Sequence, residues 1–362
     1  MNSFFKISPW IAVSLLNAAP PASDDCCDVP EKTHICQTPA VAAYNAPSCN
    51  DTCWNTYFTA NFTYWSASEE NLELAVLEQT GDAAYSLNGT TVQQNFDFAP
   101  GFQLGFGTDL RRDNWDFFAE YTWFRNTDSV TKSFATGSTR RLLPLRGKRD
   151  ATSPRYLYGK EMWELEMDFL DADIGRTYYV GTQLTFRPSL GMRGAFIRQY
   201  LDVDYENEAT ELGHHNVYVN QTSKSWAIGP RAGIYSSWLV GKGMRLYGVG
   251  AGDLLFTRYT GVKLDQRATT SAGIVPSGGL TTVKEPNVDY LRAHLELELG
   301  LGWATYYSHG KYHFDFTAGY TFQVFFNQNM FRSFTDDVSV NSSLPNGDLF
   351  LQGLTLSTRF DY

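Results

Sequence analysis

Long apolar runs are what this 362-residue chain most conspicuously lacks. Beyond the first twenty residues no apolar stretch reaches ten, whereas a spanning helix needs ~20. A helical membrane protein is therefore excluded. Basic charge is also scarce: 29 lysines and arginines stand against 39 acids, for a net charge of −10. Nothing in that balance draws the chain to nucleic acid. Histidine is limited to six residues, and no G-x-S-x-G, H-E-x-x-H or P-loop spacing occurs. The usual hydrolase, zinc-protease and nucleotide-binding signatures are thus missing. Cysteine disappears after residue 53. Aromatics do not: 25 Phe, 21 Tyr and 9 Trp exclude a disordered chain. With 30 glycines beside them, the composition fits an all-β protein.

The first residues read as an export signal. Met1 to Lys6 carries one positive charge, Ile7 to Leu16 is a short apolar core, and Asn17-Ala18-Ala19 offers small residues for cleavage. An exported chain meets an oxidising compartment, so Cys26, Cys27, Cys36, Cys49 and Cys53 are disulfide candidates. Five is an odd number, which leaves three arrangements open. They are two internal bridges with one thiol over, a bridge to a neighbouring envelope protein, or a zinc site with His34, whose spacing fits no familiar ligand pattern. The expected organisation is a signal peptide over 1–22, a cysteine-rich periplasmic segment over 23–53, and one domain over 54–362.

Period two governs that domain. From Leu291 to Trp303 every odd position is apolar, against Arg292, His294, Glu296, Glu298, Gly300 and Gly302. On a helix these apolar residues would scatter around the cylinder; only a strand gathers them on one face. The pattern returns over Tyr312 to Phe326, at Trp115 to Trp123, Trp163 to Phe169, Leu184 to Leu190 and Trp226 to Ile234. It also runs to the last residue through Leu354, Leu356, Phe360 and Tyr362. Strands are expected at about 54–66, 96–110, 115–126, 161–180, 184–205, 223–240, 244–259, 289–304, 312–327 and 348–362. Short turns and long polar stretches alternate between them, which is the arrangement of an outer-membrane barrel. The fold class expected is an all-β, antiparallel up-and-down transmembrane barrel of about 10–12 strands.

Several stretches carry a resemblance. The terminal Leu354, Leu356, Phe360 and Tyr362 look like the closing strand by which outer-membrane barrels are recognised by the assembly machinery. Gly229-Pro230-Arg231-Ala232-Gly233, Leu239 to Gly243 leading to Asp253-Leu254-Leu255-Phe256, Phe186-Arg187-Pro188 continuing to Ala195, and Phe62-Thr63-Tyr64-Trp65 are more specific. Together they resemble the Legionella-type major outer membrane protein family, over about residues 54–362. The resemblance implies a pore-forming protein of the bacterial outer membrane, which periodicity by itself does not. The cysteine leader departs from the family pattern and leaves the role of residues 26–53 open.

If the apolar face meets lipid, the other face lines the lumen. On that premise Arg187, Arg193, Arg231 and Arg245 would form a basic wall, flanked by Glu164, Glu166 and Asp168 and by Arg292, His294, Glu296 and Glu298. Charge inside a pore selects ions by sign. The same residues would equally serve as mutually neutralising pairs that fill a small barrel. An ~8-strand barrel is filled by its own side chains, so ten to twelve strands leave a narrow pore at most. The function expected is passive diffusion of ions and small hydrophilic solutes, without cofactor and without catalysis. Scaffolding or adhesion through N-terminal disulfides is the alternative. An outer-membrane enzyme is the weaker one; its only hint is His214-His215 in an acidic loop with Asp204, Glu206, Glu208 and Glu211.

Overall fold

A computed structural model describes residues 55–78, 89–110, 113–135, 137–138, 140–146, 156–206, 215–270, 280–307, 312–334, 342–343 and 347–361. The five cysteines, the expected export signal, His214, Glu208, Glu211 and Tyr362 lie outside the described residues. Ten strands close into one antiparallel barrel. They are β1 (Asn55–Glu69), β2 (Phe98–Asp109), β3 (Trp115–Ser133), β4 (Tyr158–Arg176), β5 (Leu184–Glu206), β6 (His215–Gly241), β7 (Met244–Tyr259), β8 (Val288–Tyr307), β9 (Tyr312–Phe325) and β10 (Leu349–Asp361). Each pairs with its neighbour in sequence. The last returns to the first, with Tyr57 facing Asp361 and Glu69 facing Leu349. All ten overlap the segments expected from alternation, although β3 runs on to Ser133 and β6 begins at His215, inside stretches expected to be loops, and no helix occurs among the described residues.

The tight turns lie at one end. Between β6 and β7 the chain reverses through Gly241, Lys242 and Gly243, with φ of 130°, 51° and 80°. Glycine at two of those positions avoids the clash a Cβ would bring at positive φ. At the other end the long connections fold back on the barrel. Lys263–Thr270 and Leu280–Lys284 extend the sheet from the upper part of β6. Gly89–Gln93, Glu73–Glu78 and Arg141–Pro144 form a separate three-stranded sheet.

The strands are too long for the membrane alone. A tilted strand crosses hydrocarbon in ~9–11 residues, whereas β5 has 23 and β6 has 27. Their polarity changes phase on the way. On β5 the outward residues near the tight turns are Leu184, Phe186, Pro188, Leu190, Met192 and Phe196, with Leu190 72% exposed. Beyond Phe196 the outward residues become Arg198, Tyr200, Asp202 and Asp204, and the apolar ones turn inward as Ile197, Leu201, Val203 and Tyr205. On β6 the outward set from Trp226 to Val240 gives way to Lys224, Thr222 and Asn220, with Val217 and Val219 buried inside. The barrel is thus apolar outside at the membrane and apolar inside above it.

This inversion corrects one expectation. Glu164, Glu166 and Asp168 on β4 face outward, and the apolar row Trp163, Leu165, Met167 and Phe169 faces the interior at 0–2% exposure. The three acids do not line the lumen. That stretch of β4 stands above the lipid, where water solvates the outer face and the apolar face must pack inward. In contrast, β8 keeps Leu291 to Trp303 outward along the membrane, with Leu299 70% exposed.

Leu297→Lys, at the middle of the lipid-facing row on β8, should destabilise the barrel by ~2–4 kcal/mol. Glu164→Lys should stay within about 0.5 kcal/mol. Denaturant titration of each variant folded into lipid vesicles measures both; equal effects at the two sites would contradict the assigned faces.

Candidate functional site

The membrane half of the lumen is built from arginines and carboxylates projecting from successive strands. Strand pairing sets Asp171 on β4 directly across from Arg193 on β5, and the two make a bidentate pair with both contacts at 2.6 Å. Arg193 is buried, and its guanidinium lies 5.2 Å over the ring of Phe169. It also reaches Asp253 on β7 at 3.2 Å and Glu296 on β8 at 3.3 Å. Arg231 on β6 binds the same two acids, Asp253 at 3.0 Å and Glu296 at 2.6 Å. His294 meets Asp253 through Nδ1 at 2.5 Å and packs on Phe325 at 4.1 Å between ring centres. Five strands, β4 to β8, are therefore tied together inside the barrel.

A second tier lies nearer the tight turns. Arg187 bridges Asp116 on β3 at 2.9 Å and Asp173 on β4 at 2.7 Å, while Tyr57 donates to Asp116 at 3.1 Å. Arg245 pairs with Asp315 at 2.5 Å and donates to the Tyr235 hydroxyl at 3.2 Å. Arg359 pairs with Asp361 at 2.5 Å, beneath the ring of Tyr57. Glu298 accepts from Tyr247 at 2.6 Å and Thr321 at 2.7 Å, and Glu120 accepts from Asn61 at 3.2 Å. Between these side chains lies a polar cavity of about 340 Å³. Its lining runs from Trp65 near mid-barrel to Asp109, Asn114, Thr177 and Tyr179 at the tight-turn end.

Above the cavity the lumen is filled. Leu72, Leu74, Ala75 and Leu142 from the three-stranded loop sheet and its edge join Trp163, Leu165, Leu201, Val203 and Tyr205 of the wall in one apolar core. Tyr205 donates to the carbonyl of Leu74 at 2.5 Å. A second segment, residues 328–332, crosses from the β9 side. Asn329 donates to the carbonyl of Glu70 at 2.8 Å, Gln221 on β6 exchanges two bonds with Arg332, and Phe331 enters the core. This plug carries buried polar atoms of its own. The Arg146 guanidinium is 3.9 Å from Glu161, both fully enclosed, and neither oxygen of Glu161 has a hydrogen-bond partner among the described residues.

The arginines expected from sequence all face the interior, as do Glu296, Glu298 and His294. Arg292 also points inward but higher, 4.5 Å over Tyr290 and 3.7 Å from the sulfur of Met330. The acids that neutralise the arginines were not singled out: Asp116, Asp171, Asp173, Asp253 and Asp315. Their signal was present in the parity, since each sits on the inward face of its strand. His215 is paired through its backbone with Thr270, and Asp204 sits on the outward face opposite Tyr218. Among the described residues no group of three or more His, Cys, Asp and Glu is arranged to hold a metal.

A closed barrel with an apolar outer band, a charged interior and long connections at one end defines an outer-membrane β-barrel protein. The chain belongs to the family described as the Legionella pneumophila major outer membrane protein precursor, which it matches over residues 45–362, and its place is the bacterial outer membrane. No protein of curated function matches it. Among solved structures it is similar to the outer membrane protease OmpT from Escherichia coli, at 10% identity over 85% of this chain and 96% of that one, with a TM-score of 0.41. The Pseudomonas putida toluene transporter TodX shares 11% identity over 86% of this chain and 89% of that one, with a TM-score of 0.32. A major outer membrane protein from Thermus thermophilus shares 10% over 86% and 100%, with a TM-score of 0.25.

Arg193→Met would leave Asp171 buried without its bidentate partner, and removing one member of a buried pair costs ~3–5 kcal/mol. The double change Arg193→Met with Asp171→Asn should recover a substantial part. Heat-modifiable gel mobility and denaturant titration report both; a single variant as stable as the parent would contradict the tie across β4 to β8.

Proposed function

We propose that this protein is a pore-forming outer-membrane protein for small hydrophilic solutes, held closed at its outer mouth and selective for cations. The observation that carries the reading is the division of the lumen: loops close the outer half, whereas the membrane half is a charged chamber reaching the tight-turn end. Opening thus asks nothing of the barrel wall. It requires displacement of the loop sheet at 72–78 and 141–146 and of the segment at 328–332. The plug buries the Arg146–Glu161 pair, and neither carboxylate oxygen of Glu161 has a hydrogen-bond partner among the described residues, an arrangement that opposes the closed state.

Sign selectivity follows from the interior census. Arg187, Arg193, Arg231, Arg245 and Arg359 face Asp116, Asp171, Asp173, Asp253, Asp315, Asp361, Glu120, Glu296 and Glu298. Carboxylates outnumber arginines, so the chamber favours cations. Such diffusion needs no cofactor and no covalent step. The occupied outer half also suits a second reading, a closed structural barrel that serves the envelope as a scaffold.

Planar-bilayer recording separates the two. The parent protein should open rarely, with a reversal potential in a salt gradient on the cation side. Tyr205→Phe removes the bond to the Leu74 carbonyl, worth about 1 kcal/mol, and should raise the open-to-closed ratio roughly fivefold. Glu120→Gln with Glu298→Gln should weaken the cation preference. Silence from both parent and Tyr205→Phe, in protein shown to be folded, would leave the scaffold reading standing.

A further inference from the structure

The outward face just above the lipid band carries a feature the lumen does not explain. On four strands the first outward polar residue beyond the apolar row is a cation. Arg125 follows Trp123 on β3, Arg198 follows Phe196 on β5, Lys224 precedes Trp226 on β6, and Arg258 follows Phe256 on β7. The other side of the barrel has none: β1, β2, β8, β9 and β10 present no outward lysine or arginine along their length. The cations are therefore confined to one flank.

Three of the four are paired. Arg125 meets Asp168 at 2.8 Å, Arg198 meets Glu166 at 2.9 Å, and Arg258 meets Asp289 at 2.6 Å. Lys224 has no carboxylate partner among the described residues; its ammonium lies 5.2 Å over the ring of Tyr200. Strand register sets it directly across from Arg198, and like charges in that position oppose strand pairing. Glu166 serves Arg198 from the opposite side, since Glu166 is across from Arg198 on β4. With Glu164 also outward on β4 across from Tyr200, carboxylates and cations balance over the flank as a whole, and Lys224 is the cation left beside Arg198 without a carboxylate partner among the described residues, at the level where lipid headgroups begin.

Below it the lipid-facing wall is recessed. Ala232, Gly252 and Ala293 lower the surface between Leu190, Pro230, Leu254 and Leu295, leaving an apolar groove of about 440 Å³. Along β6 the distance from Lys224 to Pro230 is roughly 20 Å at ~3.3 Å per residue, the reach of an acyl chain below its headgroup. We propose that Arg198 and Lys224 bind the phosphate of an anionic lipid of the outer leaflet, whose acyl chain lies in this groove. Arg258 and Tyr200 flank the phosphate, and the headgroup anion relieves the Arg198–Lys224 repulsion.

Native mass spectrometry of the full chain, refolded in a maltoside detergent, tests the assignment with three probes. These are a diphosphorylated lipid A, the same lipid with its phosphates removed, and inorganic phosphate as competitor. The parent should retain the phosphorylated lipid about tenfold better than the dephosphorylated one, and added salt should weaken retention. Arg198→Ala with Lys224→Ala should abolish the preference, Lys224→Arg should keep it, and Lys242→Ala at the opposite end should leave it unchanged. Lys224→Gln alone, at an exposed position, serves should the double variant fail to fold. Equal retention of both lipids by the parent, an unchanged preference in Lys224→Gln, or complete displacement by phosphate at matched concentration would each overturn the proposal.

Discussion

In hydrocarbon no backbone N–H or C=O can remain unpaired, and the pairing of β1 with β10 is where this barrel meets that demand. Thirteen register positions, from Tyr57–Asp361 to Glu69–Leu349, close the sheet. Once the sheet is closed, every strand has an inside and an outside, and alternate residues must answer to two environments. The rest of the molecule follows from which environments those are at each height.

Within the membrane the division is the ordinary one. Leucines and aromatics meet lipid, and the interior is left to polar groups that ten strands cannot spread around a wide channel. Arginines and carboxylates satisfy one another there, with Arg193 and Arg231 sharing Asp253 and Glu296. Above the membrane water replaces lipid, and the barrel behaves as a soluble protein wall. Charged residues such as Glu164 and Glu166 go outside, and Trp163, Leu165, Leu201 and Val203 build a core that needs a filling. Leu74, Leu142 and Phe331 from the loops supply it. The plug is a consequence of wall length: strands that stop at the lipid surface would offer the loops no apolar socket.

The same switch explains what was legible in the sequence. Strand positions, their number and the alternation of short and long connections could be read directly, because period two persists through the whole of each strand. Assigning the two faces required a further rule, that the apolar face meets lipid, and this rule holds only at membrane depth. It placed Arg187, Arg193, Arg231 and Arg245 inside and failed at Glu164, Glu166 and Asp168. The phase change itself is written in β5, where the large apolar residues Leu184, Phe186, Leu190, Met192 and Phe196 are even-numbered and the aliphatic residues Ile197, Leu201 and Val203 beyond them are odd-numbered. Length is the accompanying signal, since 23 residues exceed what hydrocarbon demands. The filling loops left no such trace. Leu72 to Ala75 and Leu142 are short apolar pieces in polar surroundings, and only the three-dimensional wall reveals their partners.

The inversion is tested most directly by nitroxide side chains placed singly at positions 190 to 204 of β5, in a chain whose native cysteines are replaced by serine and reconstituted in lipid. Even positions from 190 to 196 should collide with oxygen dissolved in the bilayer. Even positions from 198 to 204 should instead collide with a water-soluble nickel complex, and odd positions from 197 to 203 with neither. Oxygen collisions continuing at 198 to 204, with nickel reaching 197 to 203, would contradict the account.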